Sequence, residues 1–235
     1  MTAVTDCGRR GLRAWPAVEP ATTHLYLHDN RLTVVPGAVG ALTRLRVLDL
    51  AGNQLRGLPS EIGRCGALEY LYLHANRITE LRPEIGDLSR LVYLNVNLNP
   101  LSRWGDALRG LTVLAELRAE STGLEALPET LAGLVQLREL HLRSNLLTDL
   151  PEQTARLRNL RFVNLRDNRL SAVPPSLAGL PRLRELDLRQ NAIDSAPEFL
   201  AALPCLDKLD LRWNRIAQDD PVVESLRARG VLVHC

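Results

Sequence analysis

Aromatic residues are scarce in this chain: two phenylalanines, three tryptophans and four tyrosines among 235 residues, with a single methionine. Aliphatic side chains must therefore build nearly the whole core. Lysine is almost missing too, Lys208 standing alone against 28 arginines. Acidic and basic residues nearly balance, 27 against 29, for a net charge of +2. Neither a nucleic-acid wrapper nor a polybasic membrane ligand follows from such a composition. The four cysteines, Cys7, Cys65, Cys205 and Cys235, lie far apart with no C-x-x-C pair, which argues against a disulfide framework or a structural zinc site. No apolar run reaches the roughly 18 residues of a membrane span, and Met1–Gly11 carries no apolar stretch of the signal-peptide kind. The expectation is a soluble, reduced, cytoplasmic protein.

Leucine, by contrast, is abundant, with 49 in the chain. One side chain used so often points to one packing problem solved repeatedly. The segments Leu25–Asn30, Leu48–Asn53, Leu71–Asn76 and Leu94–Asn99 align without gaps, and the pattern returns at Asn145, Asn168, Asn191 and Asn214, with Thr122 in the one slot lacking Asn. Every step is 23 residues, over nine consecutive units. Counted from the Asn slot as zero, the apolar positions are −8, −5, −3, +2, +5, +9 and +12. In each L-x-L stretch the side chains alternate, so Leu48 and Leu50 face one way while Val47, Asp49 and Ala51 face the other. A lone unit buries too little to fold, and stacking against neighbours must supply the rest. The Asn slot has its own logic: a carboxamide offers a donor and an acceptor to backbone groups left over where the chain turns inward.

The residues L-x-x-L-x-L-x-x-N-x-L resemble the leucine-rich repeat motif, over about residues 22–218. The chain looks like a bacterial cytoplasmic-type member of that superfamily. The resemblance implies an α/β solenoid, a right-handed horseshoe with a parallel sheet on the concave face and turns or short 3-10 segments on the convex face. It also implies a binder of other macromolecules rather than an enzyme. Residues 1–21 are expected to cap the start, with Leu12 and Trp15 as apolar cover. The cap resembles the N-terminal flank of secreted members, whose cysteines are paired; with Cys7 alone here, neither the disulfides nor an extracellular address carries over. Residues 219–235 are expected to close the other end, with a helix from Asp220 to Gly230, Pro221 in its first turn, and a final strand over Val231–Cys235.

If the strands form the concave wall, positions −6, −4 and −2 face outward from it. All four tyrosines (Tyr26, Tyr70, Tyr72, Tyr93) and four of five histidines (His24, His28, His74, His141) fall among these 27 positions. Aromatics gathered on one exposed sheet suit interface anchors, although β-propensity alone also favours them there. Further along, the −2 column holds Arg143, Arg166, Arg189 and Arg212 in consecutive units, about 4.8 Å apart. Two readings stand: an internally paired charge mesh with Glu185, Asp187 and Asp210, or a docking strip for carboxylates or phosphates. Residues 99–123 form the irregular centre, with Trp104 and Gly105 where other units carry Leu-Pro; either the fold tolerates local drift or the curvature changes to shape a cleft.

Nothing in the sequence assembles a reaction centre. It lacks a Gly-rich phosphate loop, a G-x-S-x-G elbow and an H-E-x-x-H segment. His28 and His74 stand two strands apart, near 9.6 Å, without a completing ligand. Cys65 takes a core leucine slot and is expected to be inert, and Cys205 to be more exposed. The expected function is a monomeric, non-catalytic module with no cofactor and no metal. It would bind another protein through Tyr26, His28, Tyr70, Tyr72, His74, Tyr93, Asn95, Arg118, His141, Arg143, Phe162, Arg166, Arg189 and Arg212. A regulatory or targeting subunit of an enzyme, such as a phosphatase, is the alternative; a polyanion binder using the arginine column is a more distant one.

Overall fold

The structure, a computed structural model, describes residues 3–101, 104–217 and 219–235; Gln218, the last residue of the expected array, lies outside the described residues. Eleven three-residue strands form one parallel sheet in sequence order. They are β1 (Val4–Asp6), β2 (His24–Tyr26), β3 (Val47–Asp49), β4 (Tyr70–Tyr72), β5 (Tyr93–Asn95), β6 (Glu116–Arg118), β7 (Glu139–His141), β8 (Phe162–Asn164), β9 (Glu185–Asp187), β10 (Lys208–Asp210) and β11 (Leu232–His234). The register keeps equivalent positions side by side, as in Val47 with Tyr70, Leu48 with Leu71 and Asp49 with Tyr72. The result is a leucine-rich-repeat horseshoe solenoid. In the unit of Asn53 all seven apolar slots are buried: Leu45, Leu48, Leu50, Leu55, Leu58, Ile62 and Cys65. Burial pushes the Cys65 thiol up to about 11, consistent with an inert core residue. Among the described residues no helix is long and apolar enough to cross a membrane.

The strands are short because the backbone turns left-handed just before each Asn slot. Asp29, Gly52, Ala75, Leu98, Ser121, Ser144, Asp167, Gln190 and Trp213 have φ between 52° and 64°, a conformation that ends an extended run. The asparagine then secures the turn. Asn53 Oδ1 accepts from the Leu32 N–H of the preceding unit at 3.0 Å, while Nδ2 donates to Leu27 O of that unit at 2.9 Å and to Leu50 O of its own at 3.0 Å. Asn76, Asn99, Asn168 and Asn191 repeat the same bonds, so each carboxamide ties one unit to the one before. At Thr122 the relay stops. Its hydroxyl lies within hydrogen-bonding distance of Ala119 O and Asn145 Oδ1, toward its own turn and the next unit, and Leu101 N–H turns locally to Asn99 O instead.

On the convex side six 3-10 turns recur at Gly37–Ala41, Ser60–Arg64, Pro83–Asp87, Glu129–Gly133, Glu152–Arg156 and Pro175–Gly179. Pro36, Pro59, Pro128, Pro151 and Pro174 stand just before five of them, the first four in extended conformation; the ring fixes φ where the chain enters the turn. Gly105 replaces that proline, and residues 105–110 form turns without a 3-10 segment. There the chain runs unusually close to its neighbour: a Cβ on Gly86 would collide with Arg109 O, and one on Gly110 would sit 2.5 Å from Gly86 O. Strand pairing nevertheless passes through, Leu94 opposite Leu117. The strand register is thus kept, and the irregularity lies in the convex turn and in the asparagine slot at Thr122.

Both ends reuse the internal chemistry. β1, which the repeat pattern does not foreshadow, places Thr5 opposite Leu25, and Asn30 Oδ1 accepts from Arg10 N–H and Leu12 N–H. Leu12 and Trp15 pack against the core. At the other end a single helical turn, α1 (Phe199–Ala202), takes the place of the 3-10 segment, and α2 (Pro221–Ala228) leads into β11. Asp220 caps α2, accepting from Val222 N–H and Val223 N–H through Oδ1, while Oδ2 accepts from Ala196 N–H in the preceding unit.

Candidate protein-binding face

The concave sheet presents two regions of different chemistry. Its first half is aromatic. Tyr72 and Tyr93, in the same face of adjacent strands, have ring centroids 4.9 Å apart, and Tyr70 and Tyr93 6.4 Å. The Tyr93 hydroxyl accepts from Asn95 Nδ2 at 3.1 Å. Burial pushes the Tyr72 and Tyr93 phenols above their ordinary range, so both stay neutral donors at physiological pH. Tyr70 is the open member at 38% exposure, while Asn95 is covered by its neighbours. Tyr26 lies two strands from Tyr72, on the far side of Asp49. His28 Nδ1 sits 3.4 Å from Asp49 Oδ2, and the ring packs over Gly8 of the cap. His74 has a buried Nδ1 with no hydrogen-bond partner among the described residues.

The second half is charged, and its arginines fall into two kinds. Arg189 is held by Asp187 and lies 3.4 Å from Asp210; Arg212 donates to both Asp210 oxygens. Burial alone would raise the Asp210 carboxyl, but hydrogen bonds from Arg212 and the charge of Arg189 outweigh it and hold the group below its usual range. Arg118 likewise donates to Glu116. For these residues the internally paired mesh describes the geometry. Arg166 differs: it donates to Gln190 Oε1 at 2.7 Å and lies 5.5 Å from the centre of the Trp213 ring, as Arg212 also does. Trp213 is 60% exposed, so this stack offers an open aromatic surface. Arg143 is exposed and has no side-chain partner among the described residues.

Between these groups His141 and Phe162 stack, ring centroids 4.9 Å apart. His141 is 8% exposed, beneath its neighbours rather than an open anchor. Its Nε2 lies 3.1 Å from Glu139 and 3.7 Å from Glu116, and its Nδ1 3.8 Å from Glu120. Glu116, Glu139 and His141 thereby bring three donor atoms within 4.8 Å of one another. Two of those carboxylates are already engaged, Glu116 with Arg118 and Glu139 with His141.

A shallow cavity of about 390 Å³ opens beside this stack, lined by Arg138, Glu139, His141, Arg161, Phe162, Arg184 and Glu185. A second, of about 180 Å³, lies on the other side of Phe162 against Asp187, Arg189 and Asp210. Arg138, Arg161 and Arg184 are residues that reasoning from the −6, −4 and −2 columns misses. They occupy slot −7 in three consecutive units, and that repetition is a signal the sequence does carry. Trp213, in the left-handed slot, leaves no such periodic trace.

The sequence matches the family model described as leucine rich repeat over residues 20–78 and 158–216, together half of the chain. No curated protein matches it. Among solved structures it is similar to a leucine-rich repeat protein of Leptospira interrogans, at 28% identity and TM-score 0.73 over 97% of this chain and 71% of that one. It is also similar to TLR13 in its complex with ssRNA13, at 26% identity and TM-score 0.77 over 85% of this chain. The plant peptide hormone receptor RGFR1, in complex with RGF2, is 29% identical with TM-score 0.62 over 90% of this chain. The present chain spans only 30% and 40% of those last two. Sequence, register and neighbours converge: the chain belongs to the leucine-rich repeat family.

Proposed function

We propose that the protein is a non-catalytic binding module that holds a partner protein on its concave sheet. The observation that carries this reading is the tyrosine cluster of β4 and β5. Tyr70, Tyr72 and Tyr93 pack ring against ring on a face that, among the described residues, no other element covers, although the core has no need of them. Aromatic side chains of this kind anchor interfaces because they bury large area at small entropic cost. The charged half supplies orientation, through charges fixed in place by their own carboxylates. A nucleic-acid partner is less favoured, because Asp187 and Asp210, in the column beside the arginines, already pair with Arg189 and Arg212 and take up charge that a phosphate backbone would need.

The experiment is affinity capture from the native cell lysate with the full chain and with a Tyr70→Ala/Tyr72→Ala variant. Circular dichroism establishes that both are folded. A partner retained by the first and lost from the second supports the reading; equal retention by both removes it. The module is proposed to act as a monomer, which gel filtration tests, and four free thiols fit a reducing compartment such as the cytoplasm.

A further inference from the structure

Strands β7 and β8 differ from their neighbours in one chemical respect. In β9 and β10 the arginine at −2 folds back onto an aspartate at −4: Arg189 onto Asp187, Arg212 onto Asp210. In β7 and β8 the −4 position holds His141 and Asn164, so Arg143 and Arg166 have no carboxylate two residues earlier to fold back onto. Arg143 stands free among the described residues, and Arg166 rests on a neutral glutamine and an indole face. At the opposite end of the same strands Arg138 and Arg161 are exposed and, among the described residues, without an ion pair, whereas Arg184 in the next unit is paired with Asp207. Four guanidinium groups without carboxylates therefore stand at the two ends of the strands that carry the His141–Phe162 stack, and Arg138 and Arg161 also line the cavity beside it, with Glu139 and Glu185. The two strands bring one carboxylate of their own, Glu139, and it is engaged by His141.

We infer that β7 and β8 form a subsite for an acidic peptide segment, one that carries two carboxylate side chains on either side of a bulky apolar side chain. The inference rests on the concave sheet being the binding face and narrows the chemistry of what it binds. Positions 138 and 143 are five residues apart, which in extended chain is up to about 16 Å. An extended peptide covers that distance in about five residues, so one acidic side chain reaches each arginine rim and the residue between them faces Phe162. Adjacent strands lie about 4.8 Å apart, close enough for one carboxylate to engage Arg138 together with Arg161, or Arg143 together with Arg166. Guanidinium groups favour this planar, two-pronged recognition of carboxylates.

The test uses the full chain and fluorescence anisotropy. The probe is a fluorescein-labelled glycine–serine peptide of about eleven residues, with two glutamates about five positions apart and a phenylalanine midway. A second peptide replaces both glutamates by glutamine, and an oligouridine of similar length stands for a polyanion. The expected result is saturable binding of the glutamate peptide, weakened roughly tenfold in the glutamine peptide as several exposed ion pairs are lost. Arg161→Glu/Arg166→Glu should weaken it at least as much with an unchanged melting curve, and Arg109→Glu on the convex side should leave it intact. Equal binding of the two peptides, tighter binding of oligouridine, or an unaffected Arg161→Glu/Arg166→Glu variant overturns the subsite. The Tyr70→Ala/Tyr72→Ala variant separates the two readings. Loss of the native partner in that variant, with no preference for the glutamate peptide in the parent chain, refutes the subsite and leaves the concave face standing.

Discussion

Replacing Asn99 by alanine should destabilise the protein more than the same replacement at Asn76, although both side chains occupy the same slot. Asn76 accepts from Leu55 N–H and donates to Leu50 O and Leu73 O. Without it, Leu50 O keeps its bond from Asn53 and Leu73 O keeps its bond from Asn99, so only Leu55 N–H is orphaned. Asn99 accepts from Ile78 N–H and donates to Leu73 O and Val96 O. Val96 O has no second donor among the described residues, because Thr122 lacks the amide that would reach back to it. Alanine at 99 therefore orphans two buried backbone groups rather than one. At about 1–3 kcal/mol for each buried group left unpaired, the expected losses are about 1–3 kcal/mol for Asn76→Ala and about 2–6 kcal/mol for Asn99→Ala. Urea unfolding followed by circular dichroism gives both values, provided the slopes match and the transitions stay cooperative. Equal losses, or a larger loss at Asn76, would refute the idea that the asparagines act as a relay with a gap after position 99.

Two other expectations follow from the same structure. Gly86→Ala should cost about 1–3 kcal/mol or more in a thermal or urea melt, since the added methyl meets the Arg109 carbonyl and backbone gives way poorly; the same change at Gly133, where a Cβ meets nothing, should be almost silent. Asp210 has a folded-state pKa lowered by Arg212 and Arg189, so its contribution is present above the unfolded carboxylate value and disappears as pH falls through the lowered one. The melting temperature of Asp210→Asn should accordingly lie below that of the parent at neutral pH and begin to converge on it as pH falls below about 4, and a gap that stays constant into stronger acid would contradict the assignment.

Much of this architecture is legible in the residues, because the asparagine, leucine and proline slots each answer a local need that recurs every 23 positions. Leu48 and Leu50 face inward by alternation alone, and Asp220, Pro221 and Gly230 mark the closing helix by its ends. The features that escape are those without a period or without leucine. β1 turns Thr5 inward where every later unit has an aliphatic residue, so the motif passes over it. Alternation assigns His141 to the concave face but says nothing of the height of Glu116, Glu139 and Phe162 around it, and those neighbours leave it 8% exposed. The difference between paired and unpaired arginines turns on what stands two residues earlier, Asp187 and Asp210 in one case, His141 and Asn164 in the other. That is a rule about neighbours within a strand, invisible when each column is taken separately.

The missing amide at Thr122 gives an otherwise monotonous rod a seam. Stitches from this slot run unbroken from the first cap to Asn99 and again from Asn145 to the last unit, while at the join the strands, the apolar core and the Asn97 side chain, bonded to Glu120 near the sheet surface, carry the load without them. Strain applied along the solenoid, whether by a partner that bends it or by tension on its ends, gathers where the fastenings are fewest. The aromatic patch and the arginine patch lie on opposite sides of that seam, and it is the natural place for one to swing relative to the other.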